Sequence, residues 1–561
     1  MIERVIEDWL DSVSEKAFEV PFAQLLSLEG FTVVHMARPH GPMEQGKDIL
    51  AFAKDTTPFA FQLKAGDLTL KNWRDPNQPL KGQVEDLLDL PIQHPSFQHA
   101  TEHQSVLVTT GVLDDTLRQE IDQFNEGRKA KGKSILKVWL KGHIQQQILS
   151  SLSAFIPSKL PNFRDFLQLL LVDGTGVPDK EKLSMFLRER RPLKIKKASD
   201  NAIRATCAEL VILSTHLVAP YQSVDNFISE IEVWTMVASQ LMIIACSSKK
   251  SSQIAVDSLA LIEIAIWKAL QGLSQEILER ESYIEGNPWA DACVYQARIT
   301  HVAGFLGAAV LWERLFGEEV NAVGALKKFC DNNQKQMFLW GEGAVPSFLA
   351  LGWALDTISP GLDMELFLFR IIGHIISQFN KNVSAEKEKG GGAASASSTV
   401  SVLSDPYITI TQILNRGIGG SASPIESSNA GQSYVLESLV KILVNRLFRV
   451  HLTSLWGGIA QTAFETYYPT SNVSLWNWNN GKEGSIESRY TPSPTSWMKL
   501  LEETRHPNME LLPPLPFQGP HFLLMMLLSM PHRINPSIVL ALEQSDWCGG
   551  KFLLNSPKCS I

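Results

Sequence analysis

At residue 31 the chain changes its hydrophobic period, and that change limits the folds open to its first 150 residues. Before it, residues 1–30 carry apolar side chains at helical spacing: Ser14 can cap a helix, Phe18, Phe22, Leu25 and Leu26 follow, and Gly30 stops it. Pro21 lies inside that stretch, so the helix is expected to bend there or to be two short helices meeting. After it come three short runs of β-branched and aromatic residues: Phe31–Met36 (FTVVHM), Asp48–Ala53 (DILAFA) and Phe59–Lys64 (FAFQLK). A Pro/Gly loop, Arg38–Gly46, separates the first two, and Lys54–Pro58 (KDTTP) supplies a hairpin turn between the last two.

Helices and strands then alternate. Val84–Leu90 reads as a short helix and Ser105–Thr110 (SVLVTT) as a buried strand ended by Gly111. Asp114–Lys129 reads as a helix capped by Asp114 or Asp115, Ile135–Leu140 as a last strand, and a helix follows from Ile144. The order α-β-β-β-α-β-α-β predicts an α/β sandwich, a strand meander extended by crossover helices.

Beyond residue 160 strand patterns give way to helical ones: Phe163–Leu171, Asn201–Leu217, Val224–Ala245, Ile254–Leu273, Cys293–Phe316, Ala322–Phe338, Met364–Phe379 and Tyr434–Phe448. Residues 384–403 are Gly/Ala/Ser-rich and read as a flexible linker or loop. The expected organisation is an α/β domain over 1–157, a helical domain over 158–383, the linker, and a second mainly helical region over 404–561 for sensing, regulation or oligomerisation.

A formal net charge of −8 argues against a broadly basic nucleic-acid coat, and residues 1–150 alone hold 16 Lys+Arg against 21 Asp+Glu, a net of −5. Any nucleic-acid surface must therefore be local. The six cysteines (207, 246, 293, 330, 548 and 559) include no CxxC pair and read as reduced thiols. The acidic start and apolar runs shorter than the ~20 residues of a bilayer span lead to an expectation of a cytoplasmic protein with no membrane partner. Walker A, HExxH and GxSxG patterns are absent from the sequence.

The chemistry concentrates in the second and third strands. Alternation along FAFQLK puts Gln62 and Lys64 on one face and Phe61 and Leu63 on the other, and the hairpin brings Asp48 alongside. A carboxylate, an amide oxygen and the Leu63 carbonyl are hard-oxygen ligands of the kind Mg²⁺ or Mn²⁺ takes, and a lysine beside them can orient a water and offset charge on a phosphate.

These residues carry a resemblance. Glu19 in AFEVPFAQLLSLEGF, Asp48 in GKDILAFA, and Gln62 and Lys64 in FQLKAG resemble the Mrr-like branch of restriction endonucleases, within the PD-(D/E)xK nuclease superfamily. VLVTTGVLDD and ILKVWLKGHIQQQI resemble that branch's closing strand-helix-strand-helix, and the likeness spans about residues 14–150. It implies a restriction-endonuclease-like αβββαβ core and a Mg²⁺- or Mn²⁺-dependent endodeoxyribonuclease acting on double-stranded DNA. In that reading Asp48, Gln62, Glu19 and the Leu63 carbonyl hold metal and Lys64 handles the attacking water. It further implies prokaryotic restriction or anti-phage defence, with the helical region answering a regulatory protein or phage trigger in a homo-oligomer. The alternative is a catalytically degenerate nuclease fold serving as a nucleic-acid or protein interaction scaffold.

Two further groups stand out. The basic run RERRPLKIKK offers Arg188, Arg190, Arg191, Lys194, Lys196 and Lys197 as candidate phosphate contacts, with a solvated linker as the competing reading. His94, His99 and His103 lie in a polar stretch without a third ligand in metal-site context, and read as a loop.

Overall fold

The computed structural model describes the chain except residues 1, 37–45, 78, 98–101, 158–162, 192–197, 248, 281–291, 317–320, 334–343, 360–363, 389–431, 434, 461, 470–483, 491–519, 530–535 and 546–561. The chain forms two compact units, one made of Met1–Val172, Phe186–Pro220 and Ser248–Leu261, the other of Asp173–Met185, Tyr221–Ser247 and Ile262–Ile561.

The first unit opens with α1 (Ile2–Ser12) and α2 (Glu15–Leu28). The break between them falls at Val13–Ser14, where Ser14 takes the Ala17 N–H, and α2 runs unbroken through Pro21. The expected disruption at the proline is thus displaced seven residues upstream. Phe18 and Phe22, one turn apart, are buried on α2, and the same spacing sets Glu15 and Glu19 on a neighbouring stripe of that helix.

Three strands follow, β1 (Thr32–Met36), β2 (Ile49–Phe52) and β3 (Pro58–Lys64), paired antiparallel. The β2–β3 turn is closed by Ala53 N–H to the Thr57 carbonyl at 2.9 Å, with Thr56 at φ 67° and Asp55 accepting from the Thr57 N–H. Next come α3 (Leu70–Trp73), α4 (Leu80–Asp89), β4 (Gln104–Thr109), α5 (Asp115–Lys129, capped by Asp114), β5 (Leu136–Trp139) and α6 (Lys141–Ser150). β4 and β5 join in parallel, giving a mixed five-stranded sheet of order β1-β2-β3-β4-β5. Parallel neighbours require crossovers, which α3–α4 and α5 supply.

Each face of the sheet has its own core. Phe61 packs edge-on to Phe22 of α2 at 5.6 Å and lies 5.4 Å from Trp139. On the opposite side Leu50, Ala60 and Leu107 join Trp73, Val84, Leu87 and Leu117. The expected α/β layer is therefore present at the N-terminus, with strand limits within one or two residues of those read from sequence.

The remaining helices are α7 (Phe163–Leu170), α8 (Lys180–Arg190), α9 (Asp200–Gln222), α10 (Phe227–Ala245), α11 (Lys249–Glu279), α12 (Ala292–Phe316), α13 (Ala322–Asn333), α14 (Val345–Ile358), α15 (Met364–Glu388), α16 (Leu436–Asn445), α17 (Arg449–Ala460), α18 (His521–Ser529) and α19 (Pro536–Glu543). Five of these, α8, α14, α17, α18 and α19, fall outside the helical stretches read from sequence; α8 is strongly charged, and α14 and α18 are almost uniformly apolar, so those three show no helical period. α9 and α10 are long and apolar enough to cross a membrane, contrary to the expectation from apolar runs, and 67% and 89% of their apolar windows are buried in the protein, as in core helices.

In the second unit α12 and α14 pack backbone to backbone: a Cβ at Gly304 would come 2.7 Å from Ser347 Cα, and one at Gly307 2.9 Å from the Ala350 carbonyl. The expectation that strands vanish after residue 160 is corrected by a second sheet of three strands, β6 (Gln432–Ser433), β7 (Ala463–Pro469) and β8 (Gly484–Tyr490). Short polar-aromatic strands separated by a long connection give no clear period of two. Of the anticipated linker, residues 384–388 continue α15, and 389–403 lie outside the described residues.

Candidate metal and phosphate site at the end of the third strand

β3 delivers Gln62 and Lys64, and the β2–β3 pairing delivers Asp48. Because Ile49 pairs with Phe61, the residue before β2 falls opposite Gln62, and the Asp48 N–H donates to the Phe61 carbonyl at 2.8 Å. The Asp48 side chain continues the ladder in place of backbone: its Oδ2 accepts the Leu63 N–H at 2.6 Å. In a strand, one residue's N–H and C=O point to the same edge, so the Leu63 carbonyl faces the Asp48 side of β3 as well.

Burial pushes the Asp48 carboxyl up to about 6, and Glu15 and Glu19 add to the rise. The Leu63 N–H and the Lys64 ammonium act the other way. Three carboxylates thus share the region with one ammonium. Lys64 Nζ sits 3.3 Å from both oxygens of Glu15. Glu19, one turn further along α2 and half-buried, feels the Asp48 charge.

Gln62 is 3% exposed. Its Nε2 donates to Gln83 Oε1 of α4 at 2.7 Å, while its own Oε1 is buried with no hydrogen-bond partner. An unsatisfied buried acceptor costs about 1–3 kcal/mol, and such groups call for a specific explanation.

α4 is held against the site at several points. A Cβ at Gly46 (φ +70°) would come 2.7 Å from the Gln83 carbonyl, so glycine permits the close approach just ahead of Asp48. Buried Lys47 donates to the Asp86 carbonyl at 3.2 Å, and burial lowers its pKa to about 8. His103 Nε2 and Ser105 Oγ both bond the Leu87 carbonyl, at 2.8 and 3.2 Å.

The turn after Lys64 is clamped to the end of β4. Thr109 Oγ1 donates to the Gly66 carbonyl at 2.6 Å, and the Gly66 N–H donates to Thr110 Oγ1 at 2.9 Å. A Cβ on Gly111 would come 2.2 Å from the Gly66 carbonyl carbon.

The fold therefore brings Asp48, Gln62, Lys64 and the Leu63 carbonyl to one end of β3, with Glu19 in electrostatic reach. Glu15 is the member that sequence reasoning missed, and its signal is the i,i+4 relation to Glu19. Gln83 reads from sequence as a surface or channel-lining residue; no motif foretells its bond to Gln62. Among the described residues no three His, Cys, Asp or Glu side chains gather as a metal cluster. The donors that could hold a cation are mixed: Asp48 and Glu19 carboxylates, the orphaned Gln62 Oε1 and a main-chain carbonyl. All are hard oxygens, suited to Mg²⁺ or Mn²⁺ and not to a soft metal.

In the basic run, Arg190 is only 6% exposed by side chain and lies over the Phe186 ring at 5.3 Å. Arg188 and Arg191 are half-buried, and Lys194, Lys196 and Lys197 lie outside the described residues. Of the histidines, His103 is engaged with Leu87, His94 Nδ1 accepts from the Ser96 N–H, and His99 lies outside the described residues. In comparisons with protein-family models, curated proteins and solved structures, the chain finds no match.

Proposed function

We propose that the first unit is a divalent-cation-dependent DNA endonuclease with a restriction-endonuclease-like core, restrained or triggered through the helical remainder of the chain. The observation that carries the reading is the buried, unpartnered Oε1 of Gln62 beside the desolvated Asp48 carboxylate and the Lys64 ammonium. A buried amide oxygen with no hydrogen-bond donor is unsatisfied, and a cation would satisfy it.

Asp48, Gln62 Oε1 and Glu19, with the Leu63 carbonyl, would hold Mg²⁺ or Mn²⁺. Once bound, the ion offsets phosphate charge and makes a water more acidic. The chain's own residues do the rest. The Leu63 N–H fixes one Asp48 oxygen and so orients the carboxylate. Lys64 orients the attacking water and offsets charge on the phosphate, and Glu15 holds its amine at the mouth of the site.

Double-stranded DNA is the substrate proposed, with recognition local to this acidic unit, and a regulatory protein, phage component or second copy of the chain as the controlling partner. The test is calorimetric titration of the purified full-length protein with Mn²⁺. Wild type is expected to bind and Asp48→Ala to lose that affinity. Equal behaviour of the two would favour a scaffold built on a degenerate nuclease fold.

A further inference from the structure

We propose that Gln83 is a positioning residue that decides which end of the Gln62 side-chain amide faces the cation; the inference rests on the divalent-cation reading above. A carboxamide has nearly the same shape either way round, yet only its oxygen can ligate a cation. At a glutamine ligand, unlike at a carboxylate, half of the orientations are therefore wrong. Gln62 needs an acceptor to draw its NH₂ away, and Gln83 Oε1, 2.7 Å from Nε2, is that acceptor.

The arrangement is built. Gln62 is 3% exposed, so water does not compete freely for its amide. Gln83 is carried by α4, which the Gly46 contact, the Lys47–Asp86 bond and the bonds of His103 and Ser105 to Leu87 all fix against the sheet. The oxygen left over is the buried Gln62 Oε1 without a partner. Outer groups that orient ligands in this way are commonly worth about 10–100-fold in metal affinity.

The test is Mn²⁺ affinity of the full-length protein by calorimetry, with thermal unfolding of each variant as the control for folding. Gln83→Leu removes the acceptor and is expected to weaken Mn²⁺ by about tenfold. Gln83→Glu can only accept, so it keeps the orientation and is expected to hold Mn²⁺ at least as tightly as wild type. In a Gln62→Glu background the two ligand oxygens are equivalent, and Gln83→Leu should then change nothing.

Loss of affinity on Gln83→Leu in both backgrounds would mean that α4 packing, not amide orientation, is at work, and would overturn the proposal. Wild-type affinity in Gln83→Leu, with Asp48→Ala unable to bind, would overturn it too while leaving the cation reading intact. A wild type that takes up no Mn²⁺ would overturn both.

Discussion

The Asp48 carboxylate accepts the main-chain N–H of Leu63 at 2.6 Å, so the residue before one strand completes the hydrogen-bond ladder of its neighbour with its side chain. The same bond holds the carboxylate at the end of β3 that carries Gln62 and Lys64. Ladder and site are one construction, and perturbing either should register in the other.

Asp48 should make the cation-free protein less stable as pH rises. Its carboxyl is raised from 3.8 to about 6 chiefly by burial. Folding therefore favours the protonated form: the stability this group lends is fully present below about 3.8 and is lost as pH rises through about 6. Asp48→Asn keeps an acceptor for Leu63 without the buried charge. With chelator present, it should be more stable than wild type by about 2–3 kcal/mol at neutral pH, the gap closing as pH falls towards 4. Thermal unfolding followed by circular dichroism across that range checks it. A gap independent of pH would count against a desolvated carboxylate.

Glu15 and Glu19 should separate by function. Both carboxylates raise Asp48, and Glu15 also bonds Lys64, so Glu15→Gln should slow cleavage more than it alters Mn²⁺ affinity, while Glu19→Gln should weaken Mn²⁺ itself. The Lys64–Glu15 pair is partly exposed and contributes less than about 1 kcal/mol to stability, so Glu15→Gln should unfold within that margin of wild type. Titrations and rates measured on the same preparations decide the assignment.

The resemblance in motif order picks out Asp48, Gln62 and Lys64 because strand alternation and hairpin pairing are local rules, readable from DILAFA and FAFQLK. Glu15 and Gln83 are less legible, for opposite reasons. Glu15 lies one turn before Glu19 on the same helix stripe, so helical spacing alone places it, yet no motif singles it out. The contact of Gln83 depends on the tertiary docking of α4, which no local period encodes. The same distinction explains β6–β8, where pairing across a long connection, not any run of residues, makes the strands.

Gly111→Ala should damage the site from outside it. The added methyl would come 2.2 Å from the Gly66 carbonyl carbon and 2.4 Å from the Asp67 nitrogen, both backbone and unable to swing aside. A loss of about 1–3 kcal/mol is expected, with weakened Mn²⁺ binding as the turn after Lys64 shifts. Urea unfolding and calorimetry on one variant would show both effects.

In the second unit, Lys180 donates to Glu232 at 2.8 Å with both side chains over 90% buried, and His301 lies 3.4 Å from the same carboxylate oxygen. Lys180→Met should cost about 3–5 kcal/mol by stranding the glutamate charge, and adding Glu232→Leu should recover much of it. Hydrogen exchange along α10, which carries Glu232, reports the change locally.

The most direct measurement is cleavage of supercoiled double-stranded plasmid by the full-length protein with Mg²⁺ or Mn²⁺, wild type beside Asp48→Ala and Lys64→Ala. A cation-dependent nuclease centred on these residues predicts that wild type nicks or linearises the plasmid, that chelator stops it, and that each variant is slower by about 10²-fold or more. Cleavage by both variants at the wild-type rate, or cleavage by wild type that persists in chelator, would contradict it.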